Sequence, residues 1–118
     1  SVPSDDFRWS RGKASVFQSS SIVTRGFCAA CGTPLFMRED GDPNIEIAIG
    51  TLDDPNVIGP LTEQSGVESK VAWFDTMNGL KRITTADDRT PDDLARLRSL
   101  QHPDHDTTEW PPTDRHRS

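Results

Sequence analysis

The chain is poor in the residues that usually build a self-sufficient core. Its 118 residues contain no tyrosine, and hydrophobic residues make up 32% of the sequence. The mean hydropathy is −0.65. A domain of this size can bury a core, but with little apolar surface to spare. A metal ion or a partner would therefore help to hold the fold together.

An excess of positive charge and a long apolar run are also missing. The formal net charge is −6, and no cluster of Lys or Arg is longer than two residues. Nucleic-acid-binding domains need a basic surface, so we expect no nucleic-acid partner. A membrane-spanning helix needs about 20 apolar residues, and no stretch here approaches that length. We therefore expect no membrane partner either.

Cysteine is scarce, because Cys28 and Cys31 are the two cysteines of the chain. This number and spacing do not resemble the disulfide framework of a small secreted domain, and they predict a cytoplasmic location. The sequence begins with Ser1 and not with Met, so we expect a processed or truncated product. The absence of a signal peptide therefore says little about location.

Residues 7–52 have the pattern of short strands separated by turns. The clearest alternation is Ile45, Ile47 and Ile49 on one face of an extended segment, which is typical of a half-buried strand. Closely spaced short strands predict an all-β, mainly antiparallel domain. The predicted strand segments are "FRWSRG", "ASVFQSS", "SIVTRGFC", "TPLFMRE" and "NIEIAIGTL", followed by "SKVAWF" at 69–74.

The C-terminal part has a different pattern. "TPDDLARLRSL", 90–100, predicts a short helix, because Thr90 can cap it and Pro91 suits its first turn. The remainder is polar and aperiodic, which predicts an extended tail. We therefore expect a β domain over residues 1–85 and a helix with a tail over residues 86–118.

The strongest chemical signal is Cys28-Ala-Ala-Cys31-Gly32. Two thiolates at this spacing can bind one Zn²⁺ from a tight turn, and a following glycine permits the positive φ that such a turn often needs. A redox role of the thioredoxin type would need a helix and a βαβ setting, which the pattern does not predict. The alternative is two ordinary thiols without a metal.

A structural zinc ion needs four ligands, and this chain offers two thiols. His102 and His105 could complete the site, or they could be solvated residues of the tail. A third interpretation places the other ligands upstream of Ser1.

Several other residues have both a chemical and a structural interpretation. Asp53 and Asp54 could be an acid/base pair or part of an Asx turn before Pro55. Arg25 could bind a substrate carboxylate or form a surface ion pair. Three aromatic residues could line a ligand site or belong to the core, namely Trp9, Trp73 and Phe74.

The order "SSSIVTRGFCAACGTPL … IAIGTLDDP … GVESKVAWF" resembles the glutathione-dependent formaldehyde-activating enzyme family, also described with the centromere protein V domain. The resemblance covers roughly residues 2–82. It implies an Mss4-like β-tent fold and a carbon–sulfur lyase or S-(hydroxymethyl)glutathione synthase activity. The implied substrate is a thiol such as a glutathione adduct. The segment "LTEQSGVESK" lacks a histidine that many relatives carry, which leaves the substrate open.

The resemblance also implies two zinc ions. In the family, four cysteines hold a structural zinc, and Cys28 and Cys31 match the later pair. Three further cysteines, which lie upstream in the family, hold a catalytic zinc. We therefore expect this chain to carry half of the structural site, to lack an N-terminal cysteine-bearing segment and to be inactive as given.

Two other hypotheses remain beside the enzyme. The chain could be a non-catalytic zinc-binding structural or interaction module of Mss4-like fold. It could also form a homodimer, either by sharing one zinc ion between the Cys28 and Cys31 of two copies or by exchanging strands.

Overall fold

The computed structural model describes residues 1–111. The chain divides into two compact units. The first unit is Ser1–Ile58 with the segment that starts at Leu100, and the second is Gly59–Ser99. The boundary that the sequence predicts between residues 85 and 86 stays a prediction.

The first unit is built around one antiparallel sheet of five strands, in the order β1-β5-β4-β3-β2. Short hairpins join β2 to β3, β3 to β4 and β4 to β5, as turn residues between alternating segments predict. The predicted mainly antiparallel β fold is thus confirmed. The strands are β1 (Val2–Pro3), β2 (Ser15–Gln18), β3 (Val23–Phe27), β4 (Pro34–Glu39) and β5 (Asn44–Ile47).

The strand register defines two faces of the sheet. One row across the strands consists of Val16, Gly26, Phe36 and Ile47. Side chains two residues apart on a strand share a face, so Ile45 points to the same side as Ile47. Ile45 is 1% exposed and is the one fully buried side chain among residues 1–111. The small core of the first unit therefore lies on this face of the sheet.

Aromatic residues that precede β2 cover this face. The rings of Trp9 and Phe36 are 5.9 Å apart, and those of Trp9 and Phe7 are 5.0 Å apart, both edge to face. Trp9 packs on the sheet through these ring contacts but is 48% exposed, so it is not a buried core residue. The predicted strand "FRWSRG" is wrong, because this segment has no strand partner and packs its rings on the sheet instead.

The opposite row consists of Phe17, Arg25, Met37 and Glu46. Glu46 lies 3.4 Å from the amino group of Ser1, next to the place where β1 pairs with β5. This face mixes charge with apolar groups, in contrast to the aromatic side.

The fifth predicted strand is shorter than its sequence pattern. β5 ends at Ile47, and Ile49–Thr51 form a 3₁₀ helix in which the Thr51 hydroxyl donates to the carbonyl of Ala48 at 2.7 Å. Ile49 is exposed as a result. A local hydroxyl–backbone bond competes with strand extension here. Two further 3₁₀ helices of the first unit are Ser4–Asp6 and Pro55–Ile58.

The second unit contains short helical turns. The predicted strand at 69–74 is wrong, because Val67–Ser69 and Phe74–Gly79 are 3₁₀ helices. The Lys70 ammonium lies 2.8 Å from the Asp75 carboxylate, a short-range pair that closes the turn between them. Local polar contacts thus replace the pairing that an extended segment would need.

Two α-helices follow, α1 (Thr85–Asp88) and α2 (Pro91–Arg96). The predicted C-terminal helix is confirmed at Thr90 and Pro91 but ends at Arg96 and not at residue 100. Leu97 is 61% exposed, so its side chain gains little by packing, and the last predicted turn has no tertiary support.

The segment from Leu100 to Pro111 has no regular helix or strand, as an extended tail predicts. It is nevertheless held by side chains. The Arg11 guanidinium donates to the carbonyl of Thr107 and contacts Nε2 of His102. The Trp110 indole donates to the carbonyl of Leu100 at 3.3 Å, and its ring lies 5.8 Å from that of His102. The rest of the predicted tail, 112–118, lies outside the described residues.

None of the helices found in residues 1–111 has the length and apolar composition needed to cross a membrane.

Candidate metal-binding turn

The turn between β3 and β4 carries both cysteines. The Cys28 amide donates to the carbonyl of Thr33 at 2.9 Å, and the Gly32 amide donates to the carbonyl of Cys28 at 2.7 Å. Gly32 has a φ of +76°, a left-handed conformation that a side chain disfavours. The Cys-x-x-Cys-Gly segment therefore forms the tight turn that its spacing predicts. Cys28 and Cys31 lie at the two ends of this turn.

The two thiols are free and unequally exposed. Cys28 is half-buried and Cys31 is exposed. Sγ of Cys31 lies 3.1 Å from the hydroxyl of Thr33. Hydrogen bonds from the Thr33 hydroxyl and the Thr33 backbone lower the pKa of the Cys31 thiol. Burial opposes them with a smaller effect, and a bond with Cys28 lowers the pKa least. The thiolate, which is the form that binds metals, is thus favoured at Cys31.

The donors of the turn fit two of the four positions of a tetrahedral thiolate site. Thiol sulfur is a preferred ligand of Zn²⁺, and both thiols belong to one short turn. Within residues 1–111, no group of three or more His, Cys, Asp or Glu side chains is close enough to hold a metal ion. Among the described residues, the turn therefore offers two thiol donors and no third ligand beside them.

The two candidate histidines are engaged elsewhere. His102 contacts Arg11 and lies 3.2 Å from the Thr107 hydroxyl through the same ring nitrogen. Nδ1 of His105 lies 3.2 Å from the carboxylate of its neighbour Asp104. The structure does not gather either ring with the cysteines into a ligand group, so the hypothesis of a site closed by His102 and His105 gains no support.

Thr33 is the residue of this turn that sequence reasoning missed. Its hydroxyl lies 3.1 Å from Sγ of Cys31 and 3.4 Å from Oε1 of Gln101, and its single hydrogen is donated to one of these atoms at a time. The residue sits two positions after Cys31 in "CGTPL". A hydroxyl this close in sequence to an exposed thiol is the signal that could have identified it.

An open depression of about 500 Å³ adjoins the turn. Its lining combines aromatic surface with one cation, Arg25. A guanidinium beside apolar walls suits a small ligand that carries a carboxylate. The lining residues are Phe17, Arg25, Gly26, Phe27, Gly32, Pro34 and Phe36.

Among the remaining candidates, Asp54 has a structural role, and the two aromatic residues Trp73 and Phe74 do not belong to a core. Oδ1 of Asp54 accepts the backbone and side-chain N–H groups of Asn56, each at 3.0 Å, which is the predicted Asx turn. Trp73 and Phe74 are both exposed, so neither belongs to a buried core.

Comparison with known proteins gives one family. The sequence model of a family described as "Glutathione-dependent formaldehyde-activating enzyme" matches residues 1–66, which is more than half of the chain. The matched region includes the sheet, the cysteine turn and the "GTLDDP" block. Neither the comparison with curated proteins nor the comparison with solved structures gave a match.

Proposed function

Because the chain belongs to the family of glutathione-dependent formaldehyde-activating enzymes, we propose that it is part of a zinc-dependent protein of the carbon–sulfur lyase type. The substrate class is a glutathione-type thiol adduct. In the synthetic direction, the thiol sulfur bonds to the carbonyl carbon of formaldehyde, and the thiol proton passes to the carbonyl oxygen, which gives the S-hydroxymethyl adduct.

Cys28 and Cys31 supply two thiolates to a structural zinc ion in this proposal. The observation that carries it is the turn itself, which holds both thiols on either side of a tight bend and is followed by a glycine in the left-handed conformation. Family membership supports the choice of zinc. A zinc ion there would tie β3 to β4 in a chain that buries few side chains.

The catalytic zinc site lies outside these 118 residues in this proposal, since the chain has no cysteine besides Cys28 and Cys31. A zinc ion bound there would activate the thiol and polarise the carbonyl. The contribution of this chain is positioning: Arg25, in the depression beside the turn, binds a carboxylate of the glutathione-type substrate.

Two coordination arrangements can complete the half site. Two copies can each contribute Cys28 and Cys31, which gives four thiolates around one shared zinc. Residues outside this chain can also supply the missing pair. If the zinc has only a structural role, the protein would be a non-catalytic zinc-binding module. This is the alternative function, and it is favoured by the small number of cysteines, two in the chain.

The proposal is tested by zinc affinity and turnover measured on the same protein. We expect Cys28→Ser and Cys31→Ser each to weaken zinc binding at least tenfold in competition with a chromophoric chelator, because either loss removes half of the turn's donors. Ser21→Ala is the matched control and should bind like the parent. Equal zinc affinity in all four proteins would exclude the cysteine turn as a metal site.

Turnover is followed by NMR of glutathione and formaldehyde with the zinc-loaded chain. We expect the chain alone not to accelerate formation of the adduct, because the catalytic site lies elsewhere. Acceleration of adduct formation by the zinc-loaded chain would contradict this assignment.

A further inference from the structure

The two edges of the sheet differ in how they are protected. β1 is two residues long and includes a proline, Pro3. β2, at the other edge, pairs with β3 on one side, and none of the strands in residues 1–111 pairs with its other side. Natural proteins usually guard such an edge with charge, proline or a bulge. Residues 14–24 contain neither a charged residue nor a proline.

The side chains of β2 are also unusually exposed for apolar groups. Val16 is 62% exposed and Phe17 is 64% exposed, on opposite faces of the strand. An uncharged edge with apolar side chains is a template for pairing with another strand.

The backbone of β2 presents its free groups symmetrically about Phe17. The Ser19 amide donates inward to the carbonyl of Val23 at 2.9 Å. Backbone groups alternate in direction along a strand. The N–H and C=O of Phe17, two residues before Ser19, therefore also point toward β3. Val16 and Gln18 therefore direct their N–H and C=O groups away from the sheet.

We propose that two copies of this chain pair antiparallel through their β2 edges, around a two-fold axis that passes beside Phe17. Val16 of each copy then lies opposite Gln18 of the other, and each such pair exchanges two backbone hydrogen bonds. Phe17 of one copy lies opposite Phe17 of the other in a pair without backbone hydrogen bonds. The result is one continuous sheet of ten strands.

The symmetry explains why a second copy suits this edge. In a pair without backbone hydrogen bonds, the Cα atoms are about 4.5 Å apart and the side chains are closest, so the two phenyl rings can contact. Phe17 shares its row with Arg25, and a guanidinium beside an aromatic ring is favourable.

The charge distribution makes this edge the place where a second copy meets the least repulsion. Two copies that each carry a net charge of −6 repel one another. An edge without charge over residues 14–24 is a place where they can approach without like charges in contact. Because four-residue strands bury little area, the dimer should be weak and dependent on concentration.

Cross-linking tests the register directly. The Cα separation expected at Phe17 lies in the range that a disulfide spans, so Phe17→Cys should give a disulfide-linked dimer under mild oxidation. Peptide mapping distinguishes this bond from bonds to Cys28 or Cys31. Val16→Cys is the matched control, because Val16 faces Gln18 and should cross-link at least tenfold more slowly. Equal cross-linking of the two variants would overturn the proposed axis.

Sedimentation equilibrium with a zinc chelator present tests the interface without any metal. We expect the apparent mass to rise from 13.1 kDa toward twice that value as concentration increases. Phe17→Lys should remain monomeric over the same range, because it places two ammonium groups opposite each other. Val57→Lys is the control, since Val57 is 74% exposed in the same unit and belongs to the 3₁₀ helix Pro55–Ile58 and not to β2, and it should dimerise like the parent.

Three results would overturn the proposal. They are a parent chain that stays monomeric at all concentrations, a dimer that the chelator dissociates, and a dimer that Phe17→Lys leaves intact with an unchanged circular dichroism spectrum. The second result would support a zinc-bridged dimer instead. Because the measurement is made without zinc, its failure leaves the function proposed for Cys28 and Cys31 unaffected.

Discussion

The two units of the molecule are stabilised in different ways. In Ser1–Ile58, five strands share one sheet, in which β1 pairs with the distant β5, and Ile45 is buried against it. In Gly59–Ser99, the regular structure consists of single turns, and no helix has a buried residue. The match to the family model covers all of the first range and ends at residue 66, early in the second.

The difference separates cooperative from local stability. Removal of one buried side chain in the sheet should weaken several strands together, because they share a single core. In the second unit, each of the two α-helices depends on its own cap: Thr84 with Asp87, and Thr90 with Asp93. The loss of one cap should therefore stay local.

The largest expected effect comes from the buried core. Ile45→Ala removes the one side chain of residues 1–111 that is fully buried, and such a change costs about 2–5 kcal/mol. Ile83→Ala is the matched change in the second unit, where Ile83 is 53% exposed, and should cost less than about 0.5 kcal/mol. Urea unfolding followed by tryptophan fluorescence measures both. Similar costs would contradict the contrast between the units.

A second effect comes from the close contact between Gly26 and Phe36. A Cβ at Gly26 would overlap the Phe36 ring, which also packs on Trp9. Gly26→Ala should therefore displace this ring and destabilise the sheet by about 1–3 kcal/mol. Gly50→Ala is the control, because a Cβ added there would meet no atom within 4 Å beyond its chain neighbours, and the φ of Gly50 is not positive. The midpoint of thermal unfolding should fall in the first variant alone.

A smaller and local effect is expected at the helix caps. Bonds from the backbone and hydroxyl of Thr84 lower the pKa of Asp87, and bonds mainly from the Thr90 hydroxyl and Arg96 lower that of Asp93. Since the folded pKa values are lowered, the carboxylates support their helices above the ordinary carboxyl pKa. This stabilisation of the helices is lost as the pH falls through the lowered pKa values of Asp87 and Asp93.

NMR of the Thr84 and Asp93 amides between pH 7 and pH 2 follows this loss. Asp87→Asn should remove the pH-dependent shift at Thr84 and leave the one at Asp93 intact, whereas Asp88→Asn should leave both. Simultaneous loss of the two signals in Asp87→Asn would show that the caps are coupled, against the local account.

The smallest effect concerns the reactivity of Cys31. Thr33→Val removes the hydroxyl that contributes most to lowering the pKa of the Cys31 thiol. Less thiolate should then be present at pH 7, and alkylation of Cys31 by iodoacetamide should slow severalfold. Thr24→Val, on the adjacent strand, should alkylate at the parental rate. An unchanged rate in Thr33→Val would mean that the hydroxyl does not control this thiol.

The sequence pattern predicted the sheet better than the second unit, for physical reasons. The alternation of Ile45 and Ile47 reports burial on one face, and burial is what the sheet provides. "SKVAWF" has the same apolar character, but the nearby Lys70–Asp75 pair and the Thr76 hydroxyl bond favour turns. Such local polar competition is not visible in hydrophobic periodicity.

The site was predicted in the same uneven way. Cys28, Cys31 and Gly32 form the expected turn, because spacing and glycine chemistry are local properties. The Thr33 hydroxyl contacts Cys31 because of the direction of its side chain just before β4. It also contacts Gln101, which lies far along the chain. Contacts of that range cannot be read from motif spacing alone.

The most direct test of the central claim is zinc K-edge X-ray absorption on the zinc-loaded chain. We predict sulfur neighbours at about 2.3 Å, the Zn–S distance of protein thiolate sites, and their complete loss in the Cys28→Ser/Cys31→Ser double variant. A first shell of nitrogen and oxygen alone in the parent chain would contradict the assignment of Cys28 and Cys31 as zinc ligands.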